Sequence, residues 1–135
     1  MPLVLDTGIV YAYYDRSDGW HARAKALVLE ESGGLVLPAP VIPEVDHLLR
    51  HRIGLKACRV FYDGLVDGSY IVATLPSEGY ARVVALNRQY DDLGFVDAAV
   101  IAIAEARRMR RIATTDRRHF NPIAAALGLE IVPDA

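Results

Sequence analysis

Short apolar runs alternate along the chain with longer segments in which apolar residues recur at helical spacing. The short runs predict strands, namely LVL at 3–5, LVL at 35–37, YIVA at 70–73, RIAT at 111–114 and LEIV at 129–132. Between them, helices are predicted in IVYAYY, from Ser17 or Asp18 to 27–31, at about 41–51, 55–66 and 78–89, and in FVDAAVIAIAEA. The last of these is apolar nearly all round, so we expect it to be buried against the sheet. Strands alternating with helices predict an α/β domain with a mostly parallel sheet.

The length, hydrophobic fraction, net charge and cysteine count of the chain indicate a compact globular protein. The chain has 135 residues, of which 53% are hydrophobic, and this predicts a single domain over 1–135 with a substantial core. The net charge of -2 means that any binding of nucleic acid must be local. Cys58 is the one cysteine, so no internal disulfide can form, and we interpret it as a core residue. With no signal-peptide pattern and no bilayer-spanning apolar run, we expect a cytoplasmic protein without a membrane segment.

Four acids lie where an open parallel sheet binds its ligands. Asp6 directly follows the first strand, and Asp116 directly follows RIATT. Glu44 lies in the first turn of its helix, and Asp97 lies near the front of the apolar helix. Strand carboxyl ends and the N-termini of the following helices share one edge of such a sheet. We therefore expect all four side chains to converge there.

Each acid alone has a structural explanation. Asp6 or Asp97 could cap a helix, Glu44 could be favoured by the helix dipole, and Asp116 could open a turn in TTDRRHFNP. Glu44 also stands three residues after Val41 and four before Leu48, which predicts that it shares their inward-facing stripe. Together, four unpaired carboxylates repel one another and lose hydration, and a bound divalent cation relieves both costs.

The donor set indicates which ion is bound and what chemistry follows. Oxygen ligands alone favour Mg²⁺ or Mn²⁺ over zinc. One or two such ions at a sheet edge suit hydrolysis of a phosphodiester by an activated water. The residues therefore indicate a metal-dependent hydrolase acting on phosphodiesters.

Four segments resemble the PIN domain family, and within it the VapC-type toxins of bacterial toxin–antitoxin systems. They are VLDTGIVYAYYD, VIPEVDHLL, LGFVDAAVIAIAEA and IATTDRRHFNP, which occur in this order across essentially the whole chain. The resemblance implies a three-layer α/β/α sandwich around a central, mostly parallel five-stranded sheet. It also implies a Mg²⁺- or Mn²⁺-dependent endoribonuclease.

The resemblance assigns roles by position. It implies an acidic cluster of Asp6, Glu44, Asp97 and Asp116, in which Asp6, Asp97 and Asp116 hold metal and Glu44 orients or deprotonates the attacking water. Thr7 and Thr115 flank two of the acids and would hydrogen-bond a water or a phosphate. Arg118 departs from the pattern, since many relatives carry another acid there, and this weakens the case for a second tightly held ion.

The resemblance also implies partners. Similar proteins form homodimers, cleave transfer or ribosomal RNA at few sites, and are held inactive by a small VapB-type antitoxin. Arg117 and Arg118 follow Asp116 directly and are the candidate contacts to phosphates or to an acidic antitoxin segment.

Other functions remain open at this stage. A PIN-like scaffold could bind RNA or protein without cutting it. An aspartic protease built on Asp6-Thr7-Gly8 of two subunits would need a largely β fold. A phosphatase or phospho-receiver would need a lysine at a strand end, whereas Lys25 and Lys56 fall on predicted helices. His47 and His51 are spaced as a zinc pair but lack an evident further ligand set. His21, His119 and Trp20 receive no role from the sequence.

Overall fold

A computed structural model describes residues 2–31 and 33–134 of the chain. Its strands are β1 (Leu3–Leu5), β2 (Leu35–Pro38), β3 (Ile71–Ala73), β4 (Arg111–Ala113) and β5 (Glu130–Val132). Its α-helices are α1 (Thr7–Tyr14), α2 (His21–Glu30), α3 (Ile42–Arg52), α4 (Leu55–Val66), α5 (Gly79–Gln89), α6 (Phe95–Ala106) and α7 (Arg117–Leu127), with a 3₁₀ turn at Ala39–Val41 before α3. Every strand pairing is parallel, which confirms the predicted α/β class.

The order of the strands places a ligand site at the centre of the sheet. The five strands lie in the order β3-β2-β1-β4-β5. From β1 the chain progresses outward through β2 to β3, then returns to β4 on the other side of β1 and continues to β5. Because parallel crossovers are right-handed, this reversal puts helices on both faces of the sheet and gives the predicted three-layer sandwich. The crevice between the carboxyl ends of β1 and β4 is the topological switch point, where open sheets of this kind bind ligands.

The hydrophobic core fixes the elements around that crevice. All three residues of β1 are buried, and so is every residue of α6 from Ala98 to Ala104. This confirms the burial that the apolar character of FVDAAVIAIAEA predicts. Cys58 is fully buried, as expected of a core residue. Among the described residues, no helix combines the length and the apolar character needed to cross a bilayer.

Helix α7 is the element that the hydrophobic pattern did not predict. It begins directly after Asp116, in a segment whose sequence also suits a turn. Its buried face consists of Phe120 and Ile123, and Pro122 lies inside the helix between them. Proline removes a backbone donor and indicates the end of a helix in a sequence. The short apolar stripe of α7 was therefore not recognised as helical.

Candidate active site

The four predicted acids lie at one edge of the sheet, each placed by a different element. Asp6 follows β1 and Asp116 follows β4, so the switch point itself positions both. Asp97 lies in the first turn of α6, and Glu44 lies in the first turn of α3. Asp97 interacts electrostatically with each of the other three acids, as a convergent cluster requires.

The capping explanation applies to one strand-end acid and not to the other. Asp116 is the N-cap of α7, and its Oδ1 accepts the backbone N–H of His119 at 3.1 Å. Asp6 occupies the N-cap position of α1 but makes no side-chain capping hydrogen bond there. Its carboxyl is 4% exposed and turns toward β4 instead. Holding a nearly buried carboxylate without using it as a cap indicates a role other than starting the helix.

A buried threonine joins the two strand-end acids. Thr114 donates its hydroxyl to Asp6 Oδ2 at 2.7 Å, and the same hydroxyl oxygen accepts the backbone N–H of Asp116 at 2.9 Å. Thr114 is completely buried, so water cannot replace these contacts. Sequence reasoning selected the neighbouring Thr115 and missed Thr114. The signal that could have found it is that β4 lies inside a parallel sheet covered on both faces, where Ile112, Ala113 and Thr114 are all buried.

Glu44 reaches the cluster from the surface. Thr7 donates its hydroxyl to Glu44 Oε1 at 2.6 Å, which ties the first turn of α3 to the first turn of α1. Glu44 is exposed, so the prediction that it lies on an inward-facing stripe is wrong. The buried stripe of this region consists of Val41, Val45 and Leu49, and Glu44 lies on its flank, facing the end of β1.

Burial and mutual repulsion raise the pKa of two carboxyl groups. Burial raises the pKa of Asp6 to about 6, although the Thr114 hydroxyl and the Thr7 backbone N–H favour its ionised form. Burial, followed by the charges of Asp6 and Asp116, raises the pKa of Asp97 to about 7. Ionising these carboxyl groups together is therefore unfavourable in the protein alone, as expected of a site that takes up a cation.

His119 belongs to this cluster, although the sequence assigned it no role. Its Nδ1 lies 2.7 Å from Asp116 Oδ2. Asp97, Asp116 and His119 each offer one ligand atom, and these three atoms lie within 4.8 Å of one another. Because α7 was not predicted, its first turn could not be used to place His119 beside Asp116.

The donor set fits a divalent metal ion. The carboxylates of Asp6, Asp97 and Asp116 supply the hard oxygen donors that Mg²⁺ and Mn²⁺ prefer, and the pKa of both Asp6 and Asp97 is raised by burial and, to a smaller extent, by the neighbouring acids. Among the described residues, Asp97, Asp116 and His119 form the one group of three potential metal ligands, with two carboxylates and one imidazole. His47 and His51 lie outside that group, and both are exposed on α3.

The supporting residues predicted from the sequence, Thr115, Arg117 and Arg118, differ in how far they are buried. The Thr115 hydroxyl lies against Gly8, close enough that a Cβ on Gly8 would stand 2.1 Å from it. Arg118 is exposed beside the cluster. The Nε and Nη2 atoms of Arg117 are buried and have no hydrogen-bond partner among the described residues, and its guanidinium lies 5.8 Å from the centre of the Trp20 ring.

Comparisons with known proteins show which family the sequence matches. A sequence model of the PIN domain matches residues 3–125. The chain is 28% identical over 123 residues to Ribonuclease VapC26 of Mycobacterium tuberculosis, covering 90% of this chain and 91% of that protein.

Solved structures share the fold. The crystal structure of VapC20 of Mycobacterium tuberculosis, described as a sarcin-ricin loop cleaving toxin, superposes with a TM-score of 0.81 at 19% identity, over 98% of this chain and 99% of that one. VapBC2 of Rickettsia felis, bound to a DNA fragment of its promoter, gives 0.72 at 12% identity over the whole of both chains. A toxin–antitoxin complex from Klebsiella pneumoniae gives 0.70 at 18% identity, over 97% of this chain and 96% of that one.

Proposed function

The chain belongs to the PIN domain family, and from that premise we propose that it is a divalent-metal-dependent endoribonuclease and the toxin of a toxin–antitoxin pair. One observation carries the proposal. Four carboxylates from four separate elements meet at the switch point of the sheet, and the pKa of two of them is raised by burial and by the other acids. A negative cleft repels RNA unless a cation is bound in it, so RNA binding alone does not explain this arrangement.

The proposed metal ligands are Asp6, Asp97 and Asp116. When bound, Mg²⁺ or Mn²⁺ supplies Lewis-acid stabilisation of the charge that develops on phosphodiester oxygens. Thr114 holds Asp6 in place through its hydroxyl, and the α7 N-terminus holds Asp116. Both ligands are thus fixed by the fold before any ion arrives.

Glu44 is the proposed general base. It is exposed at the mouth of the cleft, where it can reach the solvent from which the attacking water comes. Thr7 donates to one of its oxygens and leaves the other free to accept a proton from that water. The products would be a 3′ hydroxyl and a 5′ phosphate if the water attacks phosphorus in line with the 3′ oxygen.

The proposed substrate is structured cellular RNA, either transfer or ribosomal, which would place the protein in the cytoplasm. The similarity to a named ribonuclease over nine-tenths of the chain supports this class of substrate. Arg118 is exposed next to Asp116 and is proposed to contact the RNA backbone. Arg117 is proposed to contribute to RNA binding through its third guanidinium nitrogen, Nη1, because Nε and Nη2 are buried.

Two protein partners are proposed as well. Relatives of this fold occur in toxin–antitoxin complexes, which supports a VapB-type antitoxin. A second copy of the chain is supported by an apolar surface of Tyr80, Val84 and Phe95, all exposed where α5 packs beside α6. Such a cluster is typical of a surface that a partner covers.

Other candidate functions fit the fold less well. An aspartic protease needs Asp-Thr-Gly in a β loop, but here Thr7 and Gly8 begin helix α1 after a parallel strand. A phospho-receiver needs a lysine at a strand end, whereas Lys25 lies on α2 and Lys56 on α4.

The test is cleavage of total cellular RNA by purified, antitoxin-free protein, with EDTA, Mg²⁺ or Mn²⁺. The variants Asp6→Asn and Asp97→Asn remove one proposed ligand each. Asp63→Asn is the matched control, because Asp63 is exposed on α4 and lies outside the cluster. We expect discrete fragments with metal from the wild type and from the Asp63 variant, and none from the other two. If the protein bound RNA but did not cleave it with any of these metals, the nuclease proposal would be wrong and a non-catalytic binding module would be the better explanation.

A further inference from the structure

His119 stands where an additional metal ligand would stand. It is the third residue of α7, and its ring nitrogen Nδ1 lies 2.7 Å from Asp116 Oδ2. Asp97, Asp116 and His119 each offer one ligand atom, and these three atoms lie within 4.8 Å of one another. Neighbouring ligands of one six-coordinate ion with bonds of about 2.1 Å stand about 3 Å apart, so a bound ion would draw the three atoms together and displace the proton that His119 Nδ1 shares with Asp116.

We propose that His119 is a metal ligand and that its imidazole nitrogen makes the site prefer Mn²⁺ to Mg²⁺. The inference rests on the proposed function, because it concerns the same ion. Mg²⁺ takes oxygen donors almost exclusively and keeps much of its hydration, whereas first-row transition ions accept imidazole readily. Carboxylate oxygens alone suit both ions, so a carboxylate-only site would distinguish them less.

The first turn of α7 preorganises His119 for this role. The backbone N–H of His119 donates to Asp116 Oδ1, so backbone and side chain both face the same carboxylate. Phe120, the next residue, is fully buried and anchors this turn to the core. The imidazole is therefore held beside Asp116 at little cost in side-chain entropy.

A competing explanation is that His119 only orients Asp116. In that case His119 would contact the carboxylate and never the ion. Loss of the imidazole would then weaken both ions alike, because the altered ligand is an oxygen that both share. The two explanations differ in metal selectivity and in direct nitrogen coordination.

The experiment measures Mn²⁺ and Mg²⁺ binding by calorimetry for wild type, His119→Ala and His119→Asn, with His51→Ala as control. His51 is exposed on α3, away from the three donors. We expect His119 substitution to weaken Mn²⁺ binding about tenfold or more and Mg²⁺ binding less than about threefold, on the argument from donor type. Circular dichroism melting establishes that each variant is folded.

A spectroscopic measurement on the wild-type protein removes any dependence on variants. Electron spin echo modulation of bound Mn²⁺ should show a directly coordinated ¹⁴N, whose pattern changes when histidine is labelled with ¹⁵N. Tight Mn²⁺ binding without nitrogen modulation, or an equal loss of both ions in the variants, overturns the ligand role while the metal-dependent nuclease stands. Failure of both ions to bind overturns this inference together with the proposed metal dependence.

Discussion

Thr114 and Asp6 join two strands at the point where the site is built. The Thr114 hydroxyl donates to Asp6 Oδ2 at 2.7 Å, and the backbone of the same region closes a second link, since Asp6 N–H donates to the Ala113 carbonyl at 2.9 Å. The same hydroxyl accepts the Asp116 N–H. One buried side chain therefore positions both strand-end acids relative to each other.

Removing the Thr114 hydroxyl should damage the site more than removing the hydroxyl of an exposed threonine would. Thr114→Val leaves Asp6 without its donor and the Asp116 N–H without its acceptor inside the core. We expect a loss of about 1–3 kcal/mol of unfolding free energy, measured by urea denaturation. RNA cleavage should fall together with stability.

The control separates the hydroxyl from the volume of the side chain. Thr114→Ser keeps the hydroxyl and should retain most of the stability and activity, whereas Thr74→Val changes an exposed threonine and should have no effect. If the Ser variant, which keeps the hydroxyl, lost as much activity as the Val variant, the two hydroxyl contacts would not explain the effect.

Glu44 should matter for the rate of cleavage and little for folding. Glu44→Gln keeps the size of the side chain and its acceptor for Thr7, but it cannot take a proton. Because Glu44 is exposed, we expect unchanged thermal stability and a fall in single-turnover cleavage of about 10²-fold or more. Glu78→Gln, which alters another exposed acid, is the control, and equal rates in the two variants would eliminate Glu44 as the base.

Gly8 is required by its close contact with Thr115. A Cβ at Gly8 would stand 2.1 Å from the Thr115 hydroxyl, so Gly8→Ala should force apart the first turn of α1 and the segment after β4. We expect a loss of about 1–3 kcal/mol of stability, as for other overpacked sites. Gly19→Ala meets nothing within 4 Å and serves as the control.

A second substitution tests the cause. Thr115→Ala removes the clashing hydroxyl, so the double variant with Gly8→Ala should be more stable than the sum of the single effects. Strict additivity of the two losses would mean that another contact is responsible.

The positions of the four acids could be predicted because they depend on topology alone. An acid directly after a parallel strand, such as Asp6, must lie at the carboxyl edge whatever the details of packing. The same reasoning placed Asp97 by the N-terminus of its helix. The five strands were likewise recognisable as short apolar runs, including the two edge strands β3 and β5, which are only partly buried.

The contacts between those residues could not be predicted, because they depend on side-chain direction. Thr114 and Thr115 are adjacent in sequence, but only Thr114 points into the core toward Asp6. The buried residues of α3 are Val45 and Leu49, so Glu44 lies on the flank of the buried stripe and not within it. The position of His119 beside Asp116 follows from helix α7, which the sequence did not predict because Pro122 lies inside it.

The two arginines after Asp116 should differ in their contribution to RNA binding. Arg118 is exposed, whereas two of the nitrogens of Arg117 are buried beside Trp20. Arg118→Gln should weaken binding of a catalytically inactive Asp97→Asn protein and lower the salt dependence of its affinity by about one ion. Arg117→Gln in the same background should lower it less, and a reversed order would show that Arg117 swings out to meet the RNA.

Metal-free protein should become less stable as the pH rises from about 4.5 to 7.5. The pKa of Asp6 is raised to about 6 and that of Asp97 to about 7, so the folded state holds protons that the unfolded chain has already released. Stability therefore falls with pH through this window. His119 acts in the same direction, because its hydrogen bond to Asp116 raises its pKa, so the folded state holds this proton more tightly than the unfolded chain does. Denaturation in EDTA should show a decrease on the order of 3 kcal/mol.

Substitution identifies which group causes this slope. Asp97→Asn cannot ionise, so it should flatten the pH dependence and be more stable than the wild type at pH 7.5 in EDTA, while Asp63→Asn should follow the wild-type curve. Added Mn²⁺ should stabilise the wild type most at high pH, where the carboxylates are ionised and ready to bind it. A metal-free wild type whose stability rose across this window would mean that the buried acids are paired with cations and are not held in mutual repulsion.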